Sequence, residues 1–385
     1  MMNTERTWAE IDLAAIRHNY ECIRRAFGTV RVMTVMKADA YGHGIAGILP
    51  ACDPFTDGYA AATVGEGAAI RRASDKPVLL FGPVPEGRMA EAAGLGLTLS
   101  VGSIPYAETL AAQLRAHGLR ADVHLKLDTG FNRTGIRWRE DGETEALQQI
   151  LRIFRTDCFR VTGTYTHFAC PESPDPDDRA FTALQADRFR AALEAMARLG
   201  LDPGVRHCCA TGGALAHPEL RMDMVRLGMM VYGQCDTLAH AQALGLRQAM
   251  CWKSRIVQVE PLRAGETVSY GRTFRAPQDM RLGVVSCGYA DGYRRCYPAF
   301  GWALVCGRRI RTLGRVCMDF LLADLTEVPD AGVGTEVVLL GRQGTQEITA
   351  IEIAQAVEST CGEVTAALSA RVPKYYLDRQ EDNHV

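Results

Sequence analysis

Hydrophobic and polar positions follow two periods along the first 240 residues. Leu13, Ile16, Tyr20, Ile23 and Phe27 recur at helical spacing behind Asp12, a residue suited to a helix N-cap. An apolar run of strand length, 30–36, comes next. Further short apolar runs lie at 58–62, 77–81, 97–101, 121–127, 161–167, 205–209 and 222–225. Between them are helical patterns such as 103–117 and 179–199; in the second, Phe189, Leu193, Met196 and Leu199 share a face. Strand and helix alternating about eight times predict parallel strands joined by right-handed crossovers and closed into a (β/α)8 TIM-like barrel. The strands read as continuous apolar runs, as strands covered on both faces do.

The character changes near residue 240. Runs at 252–260, 267–270, 281–288, 303–306, 309–313, 320–325 and 336–340 are β-rich and punctuated by Gly and Pro, which predicts a smaller, mostly β domain of antiparallel strands. One helix is expected after them, with Thr349 and Glu352 in capping-box spacing and Gly362 as its stop. The domains are therefore placed at 1–240 and 241–385, with a hinge at 239–245 and the first residues pairing with the C-terminal part. The tail 380–385 is polar and reads as a frayed end.

Composition narrows the class. The chain has 385 residues, enough for two domains, with 47% hydrophobic and 23% charged residues, as in a soluble globular protein. A formal net charge of −2 gives no reason to expect nucleic acid or an anionic membrane as partner. No apolar run is long enough to span a bilayer, and the N-terminus lacks the apolar core of a signal peptide. The 13 cysteines are odd in number and scattered without a CxxC pair, which predicts reduced thiols in a cytoplasmic protein and no metal site.

Candidate chemistry gathers at strand ends, where a barrel places its active site. The first strand ends in Lys37, followed by Ala38-Asp39-Ala40-Tyr41-Gly42-His43-Gly44. A lysine there either marks where the strand meets water or serves Schiff-base chemistry, since a desolvated lysine loses its proton readily. Val123-His124-Leu125-Lys126-Leu127-Asp128-Thr129-Gly130 ends another strand, with Arg133 just beyond. Tyr165-Thr166-His167-Phe168, His207-Cys208-Cys209-Ala210-Thr211-Gly212-Gly213 and Val225-Arg226-Leu227-Gly228-Met229 end three more. Singly, each has a plain structural reading: a satisfied core histidine, an ion pair, a turn. Together they describe a mouth with two lysines, two arginines, a histidine and a hydroxyl beside glycines. Such a hydroxyl and glycines at a strand-to-helix turn suit a phosphate. An aldehyde-binding lysine and a phosphate cradle together point to pyridoxal 5'-phosphate. In the β-rich part, Val268-Ser269-Tyr270-Gly271, Gly288-Tyr289-Ala290-Asp291-Gly292 and Arg315-Val316-Cys317-Met318-Asp319 are further polar turns, each equally readable as a hairpin.

These segments, in this order, resemble the alanine racemases nearly end to end. The likeness runs from Trp8-Ala9-Glu10-Ile11-Asp12 to Arg371-Val372-Pro373, and the segment around Lys37 is its most specific part. The resemblance implies a two-domain pyridoxal-phosphate enzyme acting on a small amino acid as a head-to-tail homodimer with shared active sites. It implies that Lys37 binds the cofactor's aldehyde carbon. Tyr41, Thr211 and the backbone at Gly228 and Met229 hold the phosphate, and Arg226 faces the pyridine nitrogen. Arg133 lies near the cofactor's phenolic oxygen and the substrate carboxylate, and Lys126 matches a lysine often carbamylated in the family. His167 links Tyr270 to Arg226, with Tyr270 acting in trans as the second base. Met318 and Asp319 bind substrate, and Tyr289 lines its passage.

The chain departs from the family pattern at Ala370. The family usually carries a tyrosine there, before Arg-Val-Pro, that narrows the substrate pocket. Relatives that racemise serine carry a small polar residue instead. Near Thr211 the family often has Asn-Ser, where this chain has Ala210-Thr211. The expectation is an alanine racemase, with a serine or broader small-amino-acid racemase as the alternative. A non-catalytic pyridoxal-phosphate carrier would have no use for Tyr270, and a decarboxylase would want an acid where Arg226 stands.

Overall fold

The computed structural model describes residues 5–235 and 237–378; the tail 380–385 lies outside them. The chain divides into two compact units. One comprises Ile23–Ala40 and Leu49–Val231; the other comprises the described residues up to Cys22, Tyr41–Ile48 and those from Tyr232 on.

The first unit is the expected barrel. Arg31–Val35, Gly58–Ala61, Val78–Leu80, Thr98–Val101, Ala121–Asp128, Phe159–Tyr165, Val205–His207 and Met224–Leu227 are its first to eighth strands, all parallel and paired in chain order. The eighth returns to the first, Met224 opposite Arg31. The seam between seventh and eighth is bridged at Ala210 and Arg226, where Arg226 N–H donates to Cys209 O at 3.0 Å. Strands two, three, four and eight are buried at every position, which explains their unbroken apolar runs. Each buried Val or Leu contributes roughly 1.5–3 kcal/mol. The helices between them carry their own start signals. Thr63 and Glu66 close a capping box on Val64–Arg71. Pro176–Arg198 begins three residues before the periodic pattern, because Asp175 caps it and Pro176 suits the first turn.

In the second unit the long strand Met250–Leu262 organises a nine-stranded sheet. It pairs antiparallel with Thr7–Asp12, Met280–Val285 and Glu336–Gln343, so the sheet curls back on itself. The otherwise antiparallel pattern has a parallel pair, Thr7–Asp12 with Lys374–Leu377. Two expectations need correction here. Gly362 does not stop a helix: Ala350–Ala356 ends, and Thr360 caps a second helix, Cys361–Ala366, that contains Gly362. Glycine leaves room inside it, since a Cβ there would stand 3.1 Å from the Tyr41 ring, closer than ordinary contact. The stretch 239–245 is not a plain hinge either; Leu238–Ala243 is a short helix, with Thr237 Oγ1 accepting from His240 N–H.

Candidate active site

The first barrel strand delivers Lys37 through an unusual turn. Ala38, Asp39, Ala40 and Tyr41 all lie in the left-handed region, with φ between +51° and +57°. None is glycine, and left-handed backbone costs L-residues roughly 1–2 kcal/mol each. Such strain persists where the surroundings impose it, and it gathers at functional sites. Lys37 is exposed, yet the surrounding protein still lowers its pKa, first by burial and then through the Arg133 charge, with Glu66 opposing. Both facts fit a lysine standing at the floor of an open mouth. The Tyr41 ring lies 5.4 Å from that of Tyr232, and burial raises its pKa to about 12.

Arg226 is firmly anchored in the barrel. It is buried, and its Nη1 donates to His207 O and His207 Nδ1, both at 3.0 Å. Its Nη2 donates to Thr166 O and Cys208 O at 2.9 Å and faces His167 Nδ1 at 3.3 Å. None of these five contacts uses Nε. All five acceptors are uncharged, so the guanidinium charge is held without a carboxylate. His167 has its pKa lowered to about 2 by burial, then by Arg226, Lys126, Arg133 and Lys37. It is therefore neutral at physiological pH.

Lys126 is buried on the fifth strand, its pKa lowered well below the ordinary value by burial and by Arg226. It and Arg133 line a cavity of about 290 Å³ with Ser100, Ser103 and Tyr106. The loop carrying Arg133 is pinned by Asp128, whose carboxylate accepts the N–H groups of Gly130, Asn132 and Arg133 at 2.9–3.1 Å. Asp128 is thus consumed by its own loop and by Arg139 at 3.4 Å. Thr211 is buried at the start of the short helix Thr211–Ala216, and Gly228 and Met229 follow the eighth strand in a tight turn with Val231 N–H on Gly228 O.

The remaining predicted residues belong to the second unit, around the segment 315–319. The strand Thr267–Val268 is cut short because Ser269 turns left-handed (φ +63°) and donates its Oγ to Arg315 O. Tyr270 then projects outward, 64% exposed. Tyr289 and Ala290 donate their N–H groups to Cys317 O and Met318 O at 3.0 Å. Gly288 is required at that junction, since a Cβ would lie 2.4 Å from both carbonyl oxygens. Asp319 pairs with Arg371 at 2.8 Å, which ties exposed Ala370 to the Met318 turn. Asp291, fully buried, joins the same network through Arg6 and Arg371.

The barrel mouth therefore brings Lys37, Lys126, Arg133 and Arg226 near His167, whose depressed pKa registers their positive potential. A bound anion would relieve that potential, so these residues fit an anionic cofactor such as a pyridoxal phosphate. His207, His124 and Tyr165 were not singled out from the sequence, though all three contact this group or its neighbours. Period-2 alternation places His124, Lys126 and Asp128 on one face of their strand, the signal that was available.

Comparison with known proteins agrees with these features. The family "Alanine racemase, N-terminal domain" matches residues 11–236, and "Alanine racemase, C-terminal domain" matches 249–376. An alanine racemase of Halothermothrix orenii is 34% identical, covering 98% of both chains. One from Symbiobacterium thermophilum is 35% identical, covering 96% of this chain and 97% of the relative. The crystal structure of alanine racemase from a D-cycloserine-producing Streptomyces lavendulae superposes with a TM-score of 0.89 at 33% identity, covering 100% of both chains.

Proposed function

The chain belongs to the alanine racemase family and interconverts L- and D-alanine; we propose that it does so with pyridoxal 5'-phosphate and two bases, Lys37 and Tyr270. The observation that carries this reading is Arg226, held by five neutral acceptors with Nε left over for the pyridine nitrogen. When bound, the cofactor supplies the electron sink that makes the substrate's Cα–H acidic. Arginine cannot give up its proton at neutral pH, so it leaves the ring nitrogen unprotonated and moderates that sink. Lys37 takes or returns the Cα proton on one face, and its lowered pKa suits a base. Tyr270 serves the other face, with His167 linking it to Arg226 through hydrogen bonds that would favour its deprotonated form.

Tyr41, Thr211 and the backbone at Gly228 and Met229 hold the phosphate in this reading. Arg133 and the Met318 N–H bind the substrate carboxylate, Asp319 positions Met318 through Arg371, and Tyr289 lines the passage. Lys126, whose charged form burial disfavours, can lose its ammonium proton and then add carbon dioxide with release of a second proton, which would leave an anion beside Arg133 in place of a cation. Tyr270, Met318 and Tyr289 are 64%, 53% and 40% exposed, as expected of residues that a homodimer presents to its partner's barrel. The reduced thiols suit a cytoplasmic enzyme. A second reading rests on Ala370: with no ring there, serine and other small amino acids would also fit.

The test is formation of D-alanine from L-alanine, with and without added pyridoxal phosphate and with L-serine as a parallel substrate. No D-alanine from the cofactor-loaded protein would end this reading.

A further inference from the structure

Behind Arg226 lies a chain of groups that the proposed reaction does not use. His207 Nε2 is 3.0 Å from His124 Nδ1, and both imidazoles are buried. The Tyr165 ring stacks on His207 at 4.9 Å with a 2° interplanar angle and so packs against its face. Tyr165 is itself fixed: Ser100 Oγ donates to Leu80 O at 2.6 Å and therefore accepts from Tyr165 O–H at 2.7 Å. The His124 ring fills the place where a side chain on residue 163 would stand; a Cβ at Gly163 would come within 2.6 Å of it.

Proton counting gives this chain a direction. A guanidinium has donors only, so His207 Nδ1 must accept from Arg226. The His207 proton then sits on Nε2 and is donated to His124 Nδ1, which must also be an acceptor. Burial and the Arg226 charge keep both rings neutral, with Asp122 opposing at His124. If His207 carried its proton on Nδ1 instead, an N–H would face the Arg226 N–H and push the guanidinium from its plane.

We infer that His124 is a positioning residue for the racemase: by accepting the His207 Nε2 proton at its Nδ1 it holds that ring with Nδ1 turned to Arg226, which steadies the guanidinium plane and so aims Nε. The inference rests on the proposed role of Arg226, and it makes His124 the far end of the ring-nitrogen support.

Two measurements on the cofactor-loaded enzyme test it. His124→Leu removes the acceptor, and kcat should fall about tenfold to a hundredfold, as when outer-shell partners of orienting histidines are lost, with KM changing far less. The absorption band of the bound cofactor should shift. His124→Asn, whose amide oxygen can accept in place of Nδ1, should restore both. A merely structural role would reduce the folded fraction and leave kcat per bound cofactor and the band unchanged. The second measurement needs no activity: imidazole nitrogen NMR of histidine-labelled wild type should show both His207 and His124 protonated on Nε2 alone, so that His124 Nδ1 is the acceptor. A His207 or a His124 protonated on Nδ1, or a His124→Leu enzyme with wild-type kcat and band, would overturn the inference. Should the leucine variant fail to fold, the wild-type spectrum still decides. Wild type that makes no D-alanine would instead sink the alanine reading and leave the tautomer result standing.

Discussion

Replacing Tyr270 by phenylalanine separates chemistry from architecture, because the structure predicts very different magnitudes for the two. The side chain is 64% exposed on its own unit and, among the described residues, its hydroxyl holds no hydrogen bond, so stability should change by less than about 0.5 kcal/mol. For a chain of this size that is a shift in Tm of no more than about 2 °C. Phenylalanine keeps the ring, so the contact that the proposed homodimer would make through it is kept. The loss of a positioned acid–base group typically costs about 10²- to 10⁴-fold, or roughly 2.7–5.4 kcal/mol in the barrier. The gap between these figures is what makes the variant informative. Racemisation is followed by D-alanine formation from L-alanine, and Cα proton exchange by mass spectrometry in deuterated buffer. With Lys37 intact, the variant should still exchange the proton of one antipode while inverting almost none. A variant that racemises at the wild-type rate, or exchanges both antipodes at wild-type rates, would refute the two-base reasoning. A drop in Tm of more than about 5 °C would refute the structural half, since it would mean that the hydroxyl supports the fold.

Arg226→Glu puts a group able to protonate the ring nitrogen where only a donor stood, and we expect more side product; pyruvate released per D-alanine formed is the measure, and an unchanged ratio counts against the role given to Arg226. Ala370→Tyr should lower kcat/KM for serine more than for alanine, and equal effects on both substrates would mean that this position does not set pocket size. Stability should also depend on pH through the imidazoles around Arg226. Burial first, then the Arg226 charge, lowers His167 to about 2, and His124 sits at about 4 with Asp122 opposing, against an ordinary value of 6.5. The unfolded chain binds protons below 6.5 that the folded chain refuses, so stability is complete above that pH. It is lost as pH falls towards 4 and on towards 2, by up to about 1.4 kcal/mol per pH unit for each histidine. Denaturant midpoints at pH 7, 6 and 5 should fall in that order, and a flat series would show that these rings are not held neutral.

What could be read from the chain and what could not divide along a physical line. Apolar periodicity is local, and it placed all eight barrel strands to within two or three residues; Asp12 and the Thr349–Glu352 box announced their helices because a cap is satisfied within one turn. Lys37 could be suspected because a charged residue closing an apolar run is itself a local anomaly. Its left-handed turn could not, since Ala38, Asp39 and Ala40 carry no glycine-like signal and their backbone is set by surroundings that lie elsewhere in the sequence. Gly362 misled for the converse reason: a glycine usually marks a helix end, but here it clears space for Tyr41, more than 300 positions earlier. The anchoring of Arg226 is the extreme case. Its partners Thr166, His167, His207 and Cys208 come from two other strand ends, and His124 reaches it only through His207. Only barrel closure, which sets Arg226 beside the end of the seventh strand, turns three scattered histidines into one directed set of donors and acceptors.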